Sequence, residues 1–324
     1  MPTRQSTLRG GADQRQALPL MNKIGVSVIL NTVFYPTQIV RTLIQIGYEP
    51  LPPRETYSRL WRTTRLLYPS FFTYMKHLYR ENGLSGLYRG SFQYVTSHVV
   101  YLVVAETLKG PVERFVTRAS NKMDFGPVHA VPDNEDAVVE FKYAFQQAVR
   151  KLVTACILDT AATTAAHPFR VLALRGMVQT VGGETVYSGW ISPFAEVFAE
   201  EGIQGFFIGL VPLIIARWIN NFVQESMLLL LTTLIKQTPR DPYQKIGLTL
   251  TPHVAGYCGT LCMYPNIYTS NLVIIRAAKL IGASCHLIPT DDSWMGVLAT
   301  LYRRGQWFYG TPSFSRPVPT FAVD

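Results

Sequence analysis

The stretch Glu81-Asn82-Gly83-Leu84-Ser85-Gly86-Leu87-Tyr88-Arg89-Gly90 returns as Glu201-Gly202-Ile203-Gln204-Gly205-Phe206-Phe207-Ile208-Gly209, and again, worn, as Arg304-Gly305-Gln306-Trp307-Phe308-Tyr309-Gly310. Upstream of each copy lies an apolar segment with a proline behind an aromatic residue or histidine: Tyr35-Pro36, His167-Pro168 and Tyr264-Pro265. The second and third copies stand about 100 residues apart, and an acidic insert around 118–139 lengthens the first interval. One such proline or glycine cluster would mean little, but three in the same order mean a tandem repeat. Each unit reads as a long helix kinked at its proline (Pro36, Pro168, Pro265), a short surface helix, a glycine turn and a second long helix. The glycines Gly83, Gly90, Gly202, Gly209, Gly305 and Gly310 are the expected turn positions.

Long helices are predicted near 22–46, 90–116, 141–179, 208–236 and 246–280, and surface helices near 69–80, 191–201 and 292–303. Each long segment can exceed the ~20 residues that cross a bilayer. The stretch after Gly310 is too short to do so, which gives the expectation of five membrane helices with a sixth missing. The fold expected is an all-α integral membrane bundle of tandem repeats. Its parts are an N-terminal tail (1–21), repeat 1 (22–116), an acidic linker (117–140), repeat 2 (141–236), a truncated repeat 3 (245–310) and a C-terminal tail (311–324).

Composition agrees with a membrane setting. The 324 residues are 48% hydrophobic and 16% charged, against roughly 25% charged in an average soluble protein. Mean hydropathy is only +0.13, so polar groups must be hidden inside the protein or around water. The net charge of +9 would ordinarily suggest nucleic acid or an anionic membrane surface. Here the linkers do not supply it, because 124–140 carries Asp124, Asp133, Glu135, Asp136 and Glu140 without a base. The excess sits in the apolar segments, in residues such as Arg41, Arg170, Arg175 and Arg217. Lys151, Arg175 and Lys279 are expected to snorkel from helix ends, whereas Arg41, Arg170 and Arg217, apolar on both sides, are expected to face inward. Cys156, Cys258, Cys262 and Cys285 make no metal-binding pattern. The tail with Arg4, Arg9 and Arg15 has no compact apolar core and is not expected to be a secretory signal.

Three prolines and three glycine turns in one chain resemble the mitochondrial carrier superfamily. Its repeat motif, Pro-x-Asp/Glu-x-x-Lys/Arg, pairs acidic and basic members between helices to close a gate. The acidic position holds Gln38, Arg170 and Ile267, and the basic position Arg41, Ala173 and Ser270. No copy holds both members, so the resemblance implies that the gate is lost. Ile44-Gln45-Ile46-Gly47-Tyr48-Glu49-Pro50, His167-Pro168-Phe169 and Leu174-Arg175-Gly176-Met177-Val178-Gln179 are similar to the mitochondrial carrier homolog branch. That resemblance implies a multi-pass protein of the mitochondrial outer membrane that inserts tail-anchored and other helical proteins. It also implies links to lipid scrambling and apoptotic regulators.

A barrel with one wall missing would open a polar groove to lipid. The path residues expected are Arg41, Asp159, Arg170, Arg217, Asn220, Asn221, Glu225, Tyr264 and Asn271, all polar positions embedded in apolar helices. Arg217, Asn220, Asn221 and Glu225 recur at three- and four-residue steps, broadly one helix face. Trp218 reads as an anchor or packing residue. Expected partners are membrane lipids, client membrane proteins and apoptotic regulators; nucleic acid, cofactors and metals are not expected. No P-loop or nucleophile–base set is present, so an enzyme is not expected. Two alternatives stay open: an outer-membrane receptor or scaffold, and a degenerate inner-membrane carrier.

Overall fold

The computed structural model describes residues 20–58, 63–122, 137–236, 242–285, 288–291, 293–310 and 316–318. Most of the N-terminal tail, of the acidic linker and of the C-terminal tail lies outside the described residues. The elements run α1 (Leu20–Val33), α2 (Tyr35–Gln45), β1 (Arg54–Ser58), β2 (Thr63–Tyr68), α3 (Phe71–Leu87), α4 (Ser91–Lys122), α5 (Ala137–Val178), α6 (Ser192–Glu201), α7 (Leu210–Lys236), α8 (Pro242–Ala277), α9 (Trp294–Arg303) and β3 (Arg316–Pro317). Single turns of 3₁₀-helix stand at Ile203–Phe207 and Ile281–Ser284.

The three signature prolines behave differently. At Pro36 the helix breaks: Phe34 is non-helical and Pro36 is the second residue of α2, in the first turn, where its missing N–H costs nothing. Pro168 and Pro265 lie inside α5 and α8, which run through them unbroken. Pro111 and Pro252 are further helix-interior prolines. All six turn glycines adopt positive φ.

Among the described residues one stretch, Ile203–Ile235, is both long enough and apolar enough to cross a membrane. Of the five membrane helices expected, length and composition single out this one, which includes α7. The other long helices have the length but carry many charged groups, for example Glu106, Lys109, Glu113 and Arg114 in α4.

The described chain falls into two compact units. The first gathers Met1–Val99, Ala166–Gly209 and Tyr268–Asp324, and the second Val100–Ala165 and Leu210–Ile267. The core of the first unit is built from α2 (Ile39, Val40, Leu43, Ile44), the end of α5 (Val171, Leu172, Met177, Val178) and the end of α8 (Tyr268, Leu272, Ile274, Ile275). Each repeat thus contributes the stretch that comes after its proline.

A pair of contacts in this unit is repeated. The Tyr35 hydroxyl donates to the carbonyl of Arg89, the residue before Gly90. His167 Nε2 lies 2.9 Å from the carbonyl of Ile208, the residue before Gly209. A carbonyl only accepts, so Nε2 carries the proton. In both repeats, then, the side chain ahead of the proline holds the backbone ahead of the turn glycine. The glycine itself presses on the next repeat. A β-carbon on Gly90 would stand 2.8 Å from the Ala173 carbonyl oxygen, and one on Gly209 2.9 Å from that of Ser270. Ala173 and Ser270 each lie five residues after their proline.

Arg175 corrects the sequence reading. It is fully buried, with Nη2 2.8 Å from Glu201 Oε2 and Nη1 3.3 Å from the Tyr187 hydroxyl. A carboxylate from α6 reaches it, so the guanidinium is neutralised in place and does not snorkel. Lys151 and Lys279 are exposed.

The β elements were not expected. β1 and β2 form an antiparallel hairpin from Arg54↔Leu67 to Ser58↔Thr63, and β3 adds antiparallel to the far edge of β2. Arg316 in β3 donates to Glu49 and to the Pro69 carbonyl. Burial pushes the Glu49 carboxyl up to about 7, while the Arg316 guanidinium pulls it down.

The glycine geometry yields a graded expectation. Gly202 has φ +67° with open space around it, so Gly202→Ala bears only the backbone cost of about 1–3 kcal/mol. Gly209, at φ +75°, bears that cost plus the collision with Ser270, roughly a further 1–3 kcal/mol. Thermal unfolding in micelles should rank Gly209→Ala clearly below Gly202→Ala; equal losses would contradict the close approach.

Candidate functional site

The polar residues embedded in the long helices form two groups, one in each unit. In the first unit Arg170 Nη2 donates to Asn271 Oδ1 at 2.7 Å, and Asn271 Nδ2 donates to Gln45 Oε1 at 3.0 Å. The Tyr268 hydroxyl donates to the Gln45 carbonyl at 2.9 Å. The relay draws on all three repeats: Gln45 closes α2, Arg170 comes after Pro168 in α5, and Asn271 after Pro265 in α8. Arg170 stands where the gate motif would carry an acid, so this position joins the repeats through amides. Ser270, at a basic position of that motif, donates its hydroxyl to the Gly209 carbonyl at 2.7 Å.

The second unit holds the more concentrated group. Asp159 of α5 accepts from the Tyr101 hydroxyl of α4 through Oδ1, and from Asn221 Nδ2 of α7 at 2.8 Å through Oδ2. The Arg217 guanidinium lies over the Tyr101 ring, 5.3 Å from its centroid, an attractive placement for a cation. One turn of α7 thus carries both Arg217 and Asn221 to the same aromatic-carboxylate pair. Arg217 Nε is buried and has no hydrogen-bond partner. Trp218 Nε1 donates to Thr160 Oγ1 at 3.0 Å, tying α7 to α5 a second time.

The remaining expected path residues are dispersed. Asn220 packs against Gly259 of α8, where a β-carbon would come within 2.6 Å of its Oδ1. Glu225 is half-buried on α7 and Tyr264 is buried in α8. Arg41, expected to face inward, is exposed on α2, whose buried positions are its apolar neighbours Ile39, Val40, Leu43 and Ile44. The structure therefore brings together Arg170 with Asn271, and Asp159 with Asn221 beside Arg217. Sequence reasoning missed Tyr101 and Gln45. Tyr101 lies seven residues after Tyr94 on α4, so both fall on one helix face, and that spacing was the available signal.

The sequence profile described as "Mitochondrial carrier protein" matches residues 25–116 and 145–237, more than half of the chain. The chain belongs to the mitochondrial carrier family. Within it, the chain is 29% identical over 290 residues to "Mitochondrial carrier homolog 2" of Mus musculus, covering 90% of this chain and 91% of that one. It is 28% identical over 332 residues to "Mitochondrial carrier homolog 1" of Mus musculus, covering 95% and 78%. Similarity to "Mitochondrial thiamine diphosphate carrier 2" of Zea mays is 23% over 193 residues, covering 58% and 49%. The relatives similar over nearly the whole chain are thus carrier homologs, while this carrier named for a solute matches a little over half of it.

The Asp159 group makes a quantitative expectation. Removing one partner strands the others, so Asp159→Ala and Asn221→Ala should each cost about 1–3 kcal/mol. In a double-mutant cycle read by thermal unfolding in micelles, the pair should couple by about 0.5–2 kcal/mol. Strict additivity would mean that the two side chains do not share the bond.

Proposed function

We propose that this carrier-family chain is an insertase of the mitochondrial outer membrane for tail-anchored and other helical proteins. It works through a polar groove along its helices that is open to lipid, and the same path serves lipid scrambling. The long helices α1–α2, α4, α5, α7 and α8 act as its membrane segments, giving a multi-pass protein. The observation that carries the reading is Arg217: a cation in the most apolar long helix, lying on Tyr101, with a buried N–H that lacks an acceptor.

The physical argument is one of barriers. A charged or polar group entering hydrocarbon costs several kcal/mol, about 2.5–3.5 kcal/mol per charged residue on insertion scales. A helix whose inner face offers a guanidinium, amides and hydroxyls lowers that barrier for the short polar end of a tail anchor or for a lipid headgroup. Neither transfer makes or breaks a covalent bond, so no catalyst or cofactor is required. Arg217 favours an anionic group, either a C-terminal carboxylate or a phosphate. The gate positions point the same way. No repeat carries the acid–base pair that an alternating-access carrier opens and closes, which disfavours solute exchange as the activity. The similarity to two carrier homologs supports the carrier-family kind.

The reading predicts a charge-dependent defect. In mitochondria depleted of the protein, insertion of a tail-anchored reporter should fall and return with wild type. Arg217→Glu should restore a reporter with an acidic tail several-fold less well than one with a basic tail. Unimpaired insertion in depleted mitochondria would refute the insertase reading, and scrambling would then be assayed separately in liposomes.

A further inference from the structure

A carboxylate and a guanidinium share one small cluster of the second unit, and they are not bonded to each other. Asp159 gives both of its oxygens to neutral donors: Oδ1 accepts from the Tyr101 hydroxyl, and Oδ2 from Asn221 Nδ2 at 2.8 Å. Arg217 rests on the ring of that same tyrosine, 5.3 Å from its centroid, and its buried Nε meets no acceptor among the described residues. Among apolar helices the opposite arrangement is the ordinary one, because pairing relieves both charges at once.

Occupancy keeps the two apart. Arg217 and Asn221 stand four residues apart on one face of α7, and both reach the group formed by Asp159 and Tyr101. Each neutral donor makes a charge-assisted bond to one carboxylate oxygen, which leaves the carboxylate less to gain from a cation. The phenol acts twice, since donating its proton to a carboxylate polarises the ring and draws the guanidinium to its face. The register of α7 on α5 is fixed beside the cluster. Trp218, next to Arg217, donates to Thr160 Oγ1, next to Asp159, at 3.0 Å, and that hydroxyl donates in turn to the Cys156 carbonyl at 2.7 Å.

We propose that Asp159, Tyr101 and Asn221 are positioning residues whose shared hydrogen bonds keep Arg217 out of an ion pair and available to an oxyanion. The oxyanion is a lipid phosphate or a C-terminal carboxylate, and the inference rests on the reading of Arg217 as the anion-attracting group of the path. Losing either neutral donor frees a carboxylate oxygen. Arg217 then closes onto it, and the oxyanion loses its site although the arginine is still present.

The test follows the Arg217 Nε–H resonance of the full chain, carrying isotope-labelled arginine in micelles of a neutral detergent and identified by its loss in Arg217→Lys. Dihexanoyl phosphatidic acid supplies a lipid phosphate, and acetyl-trialanine with a free carboxylate supplies a chain end. At least one should shift the wild-type resonance saturably, and the one that does names the source of the oxyanion. Asn221→Ala should weaken that binding at least about tenfold, and adding Asp159→Asn should restore it to within about twofold of wild type. A merely structural role predicts the reverse, because the double variant has lost more native bonds. Tyr101→Phe keeps the ring and drops the hydroxyl, so it should show the same loss and the same rescue; it decides the matter should Asn221→Ala not fold. Undiminished binding in these single variants, or no rescue by Asp159→Asn, would overturn the proposal and leave the Arg217 site standing. No response of wild type to either probe would overturn it together with the anion role of Arg217. The insertase reading itself is judged separately, by insertion in depleted mitochondria.

Discussion

The first unit depends on one backbone accommodation: a glycine with positive φ set directly against the carbonyl of the following repeat. At Gly90 and Gly209 any side chain would collide with Ala173 or Ser270. That closeness lets the segment after each proline pack into a common core. The residue ahead of the proline holds the approach from within its own repeat, as Tyr35 does on Arg89 and His167 on Ile208. Each of these bonds satisfies a carbonyl next to a turn, where a helix start offers it no partner. Two different side chains, a phenol and an imidazole, do the same work at equivalent positions. The repeat therefore preserves a donor at a given reach, not a residue type.

The same repeat logic explains where polarity could be placed. Positions two and five residues after the prolines hold Gln38 and Arg41, Arg170 and Ala173, and Ile267 and Ser270. With the acid–base pairs absent, Arg170 is joined to Asn271 and through it to Gln45. Small residues at Ala173 and Ser270 leave their carbonyls open to the turn glycines. The second unit concentrates charge differently, with one carboxylate holding a tyrosine and an asparagine and one arginine resting on the tyrosine ring. A buried polar cluster of this kind is costly in a membrane helix unless it is satisfied or used. Asp159 is satisfied, whereas Arg217 keeps a donor in reserve.

Much of the architecture was legible because it rests on local chemistry repeated three times. In the first two copies a proline before a glycine-rich turn marks long helix, short helix and long helix, and α3, α6 and α9 fall close to the stretches expected from the pattern. The parts that stayed hidden depended on partners distant in sequence. Arg175 looked like a snorkelling cation because its position near a helix end is visible and its contact with Glu201 is not. Asp159 could be flagged, but the hydroxyl that satisfies it belongs to one tyrosine among 17 in the chain. The hairpin 54–68 is rich in Thr and Tyr, but no Asn-Gly or Asp-Gly turn announces it, and nothing local reveals that Arg316 would close onto it.

The most direct test of the central claim, that the Arg217 face of α7 is the path taken by inserting segments, is site-specific photocrosslinking during import. A photoreactive residue at Asn220 should capture the hydrophobic segment of a tail-anchored reporter transiently, with the adduct disappearing once insertion is complete. The same probe at Tyr257, an exposed residue elsewhere in the second unit, should capture far less. Equal capture at both positions, or none at Asn220 while insertion proceeds, would contradict the account.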